Sequence, residues 1–348
     1  MHLLAIETSC DETAAAVVTD DPRHGATAGM FAARSNVVSS QVDLHAETGG
    51  VVPEVAARAH LAALVPVVRR ALAEAECRWE DLGAVAVTAG PGLPGALLTG
   101  FNAARGLAYA RGLPLVPTDH IEGHVGANWI VTDGTQGPPP LPALALVVSG
   151  GHTELLLVDG DPASGAHTFE RLGGTRDDAA GEAFDKVARL LDLPYPGGPP
   201  ISRLAATAAV RRTRLPRAWI RGTDDFSFSG LKTAVAHLVA SADAPPPAEV
   251  AWAFEEAVCD VLARKTARAA EREGVSSVLV AGGVAANRRL RERMRAESPV
   301  PVFIPPPALC TDNAAMIGAA AFRHLDQAVP PERPLDIYST AMRRARVR

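Results

Sequence analysis

The chain has few of the features that mark a secreted, membrane-spanning or disulfide-stabilised protein. Only 4 of its 348 residues are cysteine, and they lie far apart with no Cys-x-x-Cys pair: Cys10, Cys77, Cys259 and Cys310. This spacing excludes a disulfide framework and a cysteine zinc site, and it indicates reduced thiols. The sequence also shows no basic leader after Met1 and no apolar run long enough to cross a bilayer. We therefore expect a cytoplasmic protein with no membrane partner.

An excess of positive charge is also missing, since 34 basic residues face 39 acidic ones and the net charge is −5. The molecule as a whole is therefore not expected to attract phosphate. Its arginines nevertheless cluster in three runs, within residues 211–221, 288–295 and 343–348. Each run is a candidate phosphate-contacting patch, and a solvated helix face or a loose tail is the alternative for each.

The sequence does contain a repeated α/β pattern. The apolar runs 3–6 and 14–19 flank a polar turn that includes Asp11 and Glu12. About 140 residues later, the runs 143–148 and 154–158 flank a second polar turn, residues 149–153. Each copy is followed by helical segments and further strands. The repetition predicts two related α/β lobes that face each other across a cleft.

Glycine-rich and acidic turns are candidate ligand sites. Gly150 and Gly151 allow positive φ and a nest of backbone N–H groups for an anion, whereas the first turn can hold a cation through Asp11 or Glu12. A solvated loop is the alternative for the first turn. Residues 90–95 match the dinucleotide fingerprint, but Pro91 and Pro94 remove two N–H donors. We interpret that stretch as a loop for close packing or for substrate approach.

A histidine pair is the candidate active centre. His120 and His124 lie four residues apart, so they share one face if the backbone there is helical. A catalytic metal needs about three protein ligands, and Asp312 is the candidate third, with a helix N-cap as its alternative role. Glu122 is not adjacent to the first histidine, so the pattern does not match that of a zinc peptidase.

Together these features predict a two-lobed actin-like ATPase fold, of the ribonuclease H-like type, with the active site in the cleft between the lobes. Residues 1–118 would form the N-terminal lobe, completed by a C-terminal helix and tail over about 320–348, and residues 119–319 the C-terminal lobe. The fold alone leaves kinase, phosphatase and acyl transferase activities open.

Nine segments, in order over nearly the whole chain, resemble the TsaD family, formerly known as glycoproteases. They are Ile6-Glu-Thr-Ser-Cys-Asp-Glu-Thr13, Gly49-Gly-Val-Val-Pro-Glu54, Ala89-Gly-Pro-Gly-Leu93, His120-x-Glu-Gly-His124, Val148-Ser-Gly-Gly-His-Thr153, Asp177-Asp-Ala-Ala-Gly-Glu-Ala-Phe-Asp-Lys186, Phe226-Ser-Phe-Ser-Gly-Leu-Lys232, Ala281-Gly-Gly-Val-x-Ala-Asn287 and Cys310-Thr-Asp-Asn313. The resemblance implies a tRNA N(6)-adenosine threonylcarbamoyltransferase. Such an enzyme moves the threonylcarbamoyl group from threonylcarbamoyl-AMP to the adenosine 3′ to the anticodon, in tRNAs that read codons starting with A, and releases AMP.

The resemblance also implies a set of site residues. His120, His124 and Asp312 would hold one divalent metal, Fe²⁺ first and Zn²⁺ second. The adenylate would contact Val147, Val148, Ser149, Gly150, Gly151, Asp185, Gly198 and Asn287. Asp11 and Glu12 would be further catalytic residues of the cleft. These roles agree with physical reasoning, because a metal can polarise a carbonyl and glycine N–H groups can stabilise charge on an acyl oxygen.

The implied partners are tRNA, a TsaB-like truncated paralogue that pairs with the N-terminal lobe, and a TsaE-like ATPase. A partner would also explain how an acidic protein handles tRNA, because the basic surface can be shared. Two alternatives come from other classes of protein. One is a metallopeptidase, and the other is a nucleotide-binding interaction module without chemistry of its own.

Overall fold

The computed structural model describes residues 1–134, 137–160 and 167–339. The third arginine run therefore lies outside the described residues. The chain forms two compact units: unit 1 takes Met1–Pro139, Gly160–Thr168 and Asp312–Arg348, and unit 2 takes Pro140–Asp159 and Phe169–Thr311. Within the described ranges, no helix is long and apolar enough to span a membrane.

Each unit is built on one five-stranded sheet. The strands of the described residues are β1 (His2–Glu7), β2 (Glu12–Thr19), β3 (Ala32–Ser40), β4 (Leu82–Gly90), β5 (Leu115–Asp119), β6 (Ala143–Val148), β7 (Thr153–Gly160), β8 (His167–Gly174), β9 (Ser277–Ala281) and β10 (Val302–Phe303). The α-helices are α1 (Val42–Ala46), α2 (Pro53–Glu74), α3 (Pro94–Arg111), α4 (His120–Gly126), α5 (Ala180–Leu190), α6 (Gly198–Ala206), α7 (Ser229–Val239), α8 (Pro247–Glu273), α9 (Arg288–Glu297), α10 (Pro307–Cys310) and α11 (Ala314–Phe322).

The sheet of unit 1 has the order β3-β2-β1-β4-β5. The hairpin of β1 and β2 is antiparallel, with Leu4 opposite Val17, while β4 runs parallel to β1 and β5 parallel to β4. Helices α2 and α3 contribute to the hydrophobic core with β1, β2 and β4, and α11 also contacts β1 and β2. A sheet packed in this way buries its central strands, which is why β1 is apolar almost from end to end.

The sheet of unit 2 repeats this plan. Its order is β10-β9-β6-β7-β8, with an antiparallel β6–β7 hairpin, β9 parallel to β6 and β10 parallel to β9. Read from β8, this is the arrangement of unit 1, so the predicted repeat of strand, polar turn and strand is confirmed. Strand β8, at the sheet edge, was not expected from the sequence, because its first five residues alternate between half-buried and exposed and four of them are polar.

The compact units do not share the predicted lobe bounds of 1–118 and 119–319. Helix α4 belongs to unit 1 and packs closely on α11. A Cβ atom on Gly123 would lie 2.6 Å from Cδ1 of Ile317, and one on Gly126 would lie 3.1 Å from the backbone N of Ala320. Because α4 packs on α11, it belongs to unit 1, whose first segment ends at Pro139.

Two helical glycines give a matched test of this packing. A Cβ on Gly318 of α11 would lie 2.5 Å from Cγ2 of Val18, whereas Gly106 of α3 is exposed with nothing within 4 Å of a Cβ. We expect Gly318→Ala to lower the free energy of unfolding of unit 1 by about 1–3 kcal/mol through overpacking. Gly106→Ala should raise it by roughly 0.5–1 kcal/mol, because alanine loses less backbone entropy.

Urea unfolding followed by circular dichroism measures both changes. Equal shifts for the two variants would contradict the packing of α11 on β2.

Candidate metal centre and active site

The histidine pair lies where β5 meets α4. The Asp119 side chain caps the helix, accepting hydrogen bonds from the backbone N–H groups of Ile121 at 2.8 Å and Glu122 at 3.0 Å. The helix therefore begins at His120, and His124 follows one turn later on the same face. Their rings are buried, with centroids 4.7 Å apart. The predicted shared helix face is confirmed.

Asp312 lies at this pair, although it is distant in sequence. Its Oδ1 atom is 3.2 Å from Nε2 of His124 and 3.7 Å from Nε2 of His120. The cap of α11 is a different residue, Asn313, whose Oδ1 accepts from the N–H of Met316 at 3.0 Å. The N-cap alternative for Asp312 is therefore wrong, and its carboxylate faces the two imidazoles.

These three residues fit a metal ion. Each offers one ligand atom, and these atoms lie within 4.8 Å of one another. His124 is fully buried, and its Nδ1 atom has no hydrogen-bond partner among the described residues. Its Nε2 atom lies 3.2 Å from Oδ1 of Asp312 but does not form a hydrogen bond with it. Leaving a buried polar group without a partner is unfavourable, and a bound cation would satisfy it. Two imidazoles and one carboxylate are a donor set that suits iron or zinc.

Glu7, at the end of β1, contacts Nδ1 of His120, the ring nitrogen that does not face Asp312. Its Oε2 atom is 3.0 Å from Nδ1 of His120 and accepts from the Thr88 hydroxyl at 2.5 Å, while its Oε1 accepts from the backbone N–H of Ser9. The Ser9 hydroxyl lies 3.1 Å from the same Nδ1 atom. A carboxylate on one imidazole nitrogen fixes the ring and leaves the other nitrogen for a metal.

Glu7 was not among the site residues predicted from the sequence. The available signal was a charged residue that ends an otherwise apolar strand, since such a residue is buried only when it has a partner.

The two buried groups shift each other's pKa. Burial lowers the pKa of His120, but the charges of Glu7 and Asp312 outweigh it and raise that pKa to about 9. Burial raises the pKa of Glu7, but the charge and hydrogen bond of His120 outweigh it and hold that pKa below its ordinary value. Without a metal, His120 is therefore an imidazolium paired with a carboxylate at neutral pH.

Asp11 and Glu12 lie in the turn between β1 and β2, within unit 1. Burial, with the charges of Asp312 and Asp11, raises the pKa of Glu12 to about 10. The carboxyl of Glu12 accepts a hydrogen bond from the Ser40 hydroxyl at 3.2 Å. The structure thus places this turn in the electrostatic field of Asp312, but neither side chain belongs to the group of potential ligands.

In unit 2, the predicted turn between β6 and β7 lies against two other backbone segments. A Cβ on Gly181 at the start of α5 would lie 2.6 Å from the carbonyl oxygen of Ser149, and one on Gly282, whose φ is +90°, would lie 2.4 Å from that of Val148. Val147 and Val148 are fully buried, whereas Gly150 and Gly151 are exposed. A ligand would therefore meet backbone at this turn.

The other predicted residues of unit 2 make contacts within the protein. Asp185 accepts from the N–H of Gly197 at 2.7 Å and so ties the loop before α6 to α5. Asn287 caps α9 and donates to the Ser202 hydroxyl at 2.9 Å and to Glu255 at 2.8 Å. Gly198 is the first residue of α6, with open space around its Cα. Asp185 thus stabilises the loop before α6, and Asn287 stabilises the start of α9.

The stretch that matches the dinucleotide fingerprint serves close packing. A Cβ on Gly92 would lie 2.6 Å from the carbonyl oxygen of Ser9, and one on Gly90 would lie 2.2 Å from that of Tyr338. The N–H of Leu93 donates to the same Ser9 oxygen at 2.8 Å. These glycines are needed for backbone approach within unit 1, so the packing interpretation is confirmed.

Comparison with known sequences decides the family. The profile described as TsaD, tRNA N6-adenosine threonylcarbamoyltransferase, matches residues 32–319. The chain belongs to the TsaD family. A relative of that name from Thermomicrobium roseum is 49% identical, with 97% of this chain and 96% of the relative covered. Others from Moorella thermoacetica and Bacillus licheniformis are each 50% identical, with 92% of this chain and 91% of the relative covered.

Solved structures with low sequence identity share the fold. Full-length HypF in its phosphate- and nucleotide-bound form matches with a TM-score of 0.60 at 12% identity, covering 94% of this chain and 47% of that chain. Component A of the Acidaminococcus fermentans (R)-2-hydroxyglutaryl-CoA dehydratase matches with a TM-score of 0.55 at 15% identity, covering 94% and 98%. The predicted actin-like α/β fold is confirmed.

The family and the names of its members also give the activity. This TsaD protein is an acyltransferase that modifies tRNA by placing a threonylcarbamoyl group on N6 of adenosine. The predicted family, enzyme class and activity are thus confirmed.

The Glu7–His120 pair predicts a pH dependence of stability in the metal-free protein. The ordinary pKa of His120 is 6.5 and its folded value is about 9. The pair therefore stabilises the fold fully below pH 6.5, and this contribution is lost as pH rises through about 9. We expect the free energy of unfolding to fall by up to about 3 kcal/mol over this range.

Urea unfolding in the presence of a chelator, at several pH values across this range, measures the effect. In His120→Gln, which retains the other titrating groups, the free energy of unfolding should fall by up to about 3 kcal/mol less than in the wild type over the same pH range. Identical pH profiles for the wild type and His120→Gln would contradict the pairing.

Proposed function

We propose that the chain takes the threonylcarbamoyl group from threonylcarbamoyl-AMP and transfers it to the exocyclic amine of the adenosine 3′ to the anticodon, in tRNAs that read codons starting with A. The modification of tRNA follows from the family, whereas the donor and the position are our proposal. The observation that carries it is the His120–His124–Asp312 group, in which two buried imidazoles face one carboxylate and Nε2 of His124 lies 3.2 Å from that carboxylate without forming a hydrogen bond.

We assign one divalent ion to these three residues, Fe²⁺ first and Zn²⁺ second. Two imidazoles and one carboxylate leave coordination positions open for substrate, as in non-haem iron sites. A divalent ion held there would act as a Lewis acid on the carbamoyl carbonyl or as a template for the reactants. Glu7 would accept the Nδ1–H of His120 and so leave Nε2, the nitrogen that faces Asp312, available to bind the ion.

The proposed reaction needs no protein nucleophile. The adenosine amine forms a bond to the carbamoyl carbon, and the bond from this carbon to the phosphate oxygen breaks. AMP leaves with that electron pair, and the proton lost by the amine passes to solvent. Asp11 and Glu12 remain proposed catalytic residues beside Asp312. In the metal-free protein, burial and the charges of Asp312 and Asp11 raise the pKa of Glu12 to about 10.

We assign the adenylate to the unit 2 residues Val147, Val148, Ser149, Gly150, Gly151, Asp185, Gly198 and Asn287. The exposed glycines offer backbone N–H groups that can bind an anion. The N-terminus of α6 adds the positive end of a helix dipole, where Gly198 offers a backbone N–H and Pro199 and Pro200 have none. Asp185 and Asn287 would act by holding the loop before α6 and the start of α9 in place.

The two alternatives receive less support. A metallopeptidase needs a carboxylate free to activate water, but Oε2 of Glu122 lies 2.7 Å from Nε2 of His324. A binding module without chemistry does not agree with relatives that are named as transferases along nearly their full length.

We also propose a docking face for a TsaB-like paralogue on unit 1. Leu61 and Val65 lie one turn apart on α2 and are 69% and 53% exposed, and Leu98 on α3 is 48% exposed. Such exposed apolar side chains on neighbouring helices favour a helical partner. A TsaE-like ATPase and tRNA complete the proposed set of partners. We infer that the protein acts in the cytoplasm, where its tRNA substrate is found.

Removal of one ligand tests the metal and the transfer together. We expect His124→Ala to bind little metal and to lose labelled threonylcarbamoyl transfer to unmodified tRNA by about 100-fold or more, because one ligand of a three-ligand site is gone. His237→Ala is the matched control, since His237 is exposed on α7. Metal analysis and transfer from the adenylate, with partners present, provide the readouts.

The control variant should retain wild-type metal content and transfer. Normal transfer by a folded His124→Ala protein would exclude the proposed centre.

Replacing apolar residues of the docking face with glutamate tests whether this face binds the paralogue. The double variant Leu61→Glu/Val65→Glu should weaken binding of the TsaB-like paralogue by roughly 10-fold or more, because charges would replace apolar contacts at the centre of the face. Val239→Glu, at an exposed apolar position of unit 2, is the control. Calorimetric titration measures the affinity, and an unchanged affinity in the double variant would refute this face.

A further inference from the structure

Unit 2 contains the first two arginine runs, and the structure separates them by their partners. In the second run, Arg289 and Arg293 both pair with Glu256, and Arg288 pairs with Glu292. Arg291 donates to two backbone carbonyls. Most of this run is therefore neutralised or used in local structure.

In the first run, four exposed arginines make no ion pair with any described residue: Arg211, Arg212, Arg214 and Arg221. The backbone N–H of Arg212 donates to Glu249. Arg217 differs, because its Nε donates to Asp260 at 2.9 Å. The first run thus presents positive charge that the protein itself does not neutralise.

The first run extends along the long helix α8. Glu249, in the first turn of α8, accepts from the backbone N–H of Arg212 at 3.1 Å, and Arg272, in the last turn, pairs with Asp224. In between, the Lys265 ammonium donates to the carbonyl oxygens of Ile220, Thr223 and Asp225 at 3.0, 2.8 and 2.6 Å. At 1.5 Å per helical residue, this attachment extends over about 35 Å. Residues 211–225 are therefore held as an extended segment beside the helix.

Two tryptophans beside and on α8 stack against arginine side chains. The Arg214 guanidinium lies 5.8 Å from the ring centroid of Trp252, and those of Arg268 and Arg264 lie 4.7 and 6.0 Å from that of Trp219. Stacking of this kind restricts a guanidinium group while leaving its N–H donors available. Arg268, like Arg214, has no carboxylate partner among the described residues, whereas Arg264 has a long contact of 3.8 Å with Asp260.

We propose that this basic strip, Arg211, Arg214, Arg221, Arg264 and Arg268, binds the phosphate backbone of the tRNA substrate. The inference rests on the family's activity on tRNA and adds the surface that receives it. From Trp252 to Arg268 the helix rises about 24 Å, enough for several successive phosphates. Because the whole molecule is acidic, association with RNA depends on such a local patch. Glu271 and Glu297, beside Arg264 and Arg268, mark its end.

An anionic lipid surface is another polyanion that a basic strip could bind. Membrane-binding faces combine basic residues with exposed apolar ones that enter the bilayer. Here the two tryptophans of the strip are half-buried under guanidinium groups. The arrangement therefore favours RNA over lipid.

Binding of the full-length chain to an unmodified tRNA transcript tests the strip. The double variant Arg214→Gln/Arg268→Gln leaves no carboxylate without a partner, so a loss of binding will reflect lost phosphate contacts. We expect its Kd to rise about 10-fold or more, and the slope of log K against log salt to become shallower by about 1 to 2. The variant Arg211→Glu/Arg221→Glu, on exposed positions of the same strip, should give an equal or larger loss.

The matched control is Arg288→Gln/Arg295→Gln, which removes the same charge from exposed positions of α9. It should bind tRNA within about twofold of the wild type if individual phosphate contacts, and not total charge, carry the affinity. Wild-type affinity in both strip variants, or equal weakening in the control, would overturn the proposal. So would loss of binding to phosphatidylglycerol vesicles in the strip variants with tRNA affinity intact.

The metal content of the strip variants should remain that of the wild type. Conversely, His124→Ala should bind tRNA normally, so failure of the proposed metal centre and failure of the strip are distinguishable.

Discussion

The buried pair of Glu7 and His120 is the interaction on which the candidate site depends. Two ionisable groups are removed from water, and each is tolerated because the other and a few hydroxyls satisfy it. Removing one partner of such a pair costs about 3–5 kcal/mol, because an uncompensated charge stays buried. The topology supplies the pair directly. Glu7 ends β1, Thr88 lies near the end of β4 and His120 follows β5, and these three neighbouring strands are parallel, so their carboxyl ends meet at one edge of the sheet.

Helix caps and glycines then complete the centre. Asp119 caps α4, and its other carboxylate oxygen accepts from the Tyr338 hydroxyl at 2.8 Å. Asn313 caps α11, which leaves the Asp312 carboxylate to face the histidines. Gly123 and Gly126 let α4 approach α11 closely, so the residues before α11 can reach the histidine pair. Two of the candidate ligands thus lie on α4, and the third lies just before the capped start of α11, so local contacts fix their positions and favour a preorganised site.

The charge that each arginine run presents also depends on tertiary contacts. The chain is acidic overall, yet its arginines have very different surroundings, and composition does not distinguish them. In the run on α9, Arg289 and Arg293 pair with Glu256 of α8, so part of its positive charge is neutralised within the protein. In the run beside the same helix, Arg214 stacks on Trp252, and the exposed Arg211 and Arg221 form no ion pair with a described residue. Electrostatic partners, and not arginine number, decide which surface can attract a polyanion.

The sequence by itself determined the features that arise from local periodicity and from ordered motifs. These are the two β-hairpins, the α/β repeat, the shared helix face of His120 and His124, and the family. Only the tertiary structure decided which of the adjacent residues Asp312 and Asn313 caps a helix and which faces the histidines, because both roles suit either side chain locally. It also decided the role of Glu7, whose partner lies more than 100 residues away, the presence of the polar edge strand β8, and the unit boundary beyond α4. Each of these depends on contacts between segments that are distant in the chain, and such contacts leave no periodic signal in the sequence.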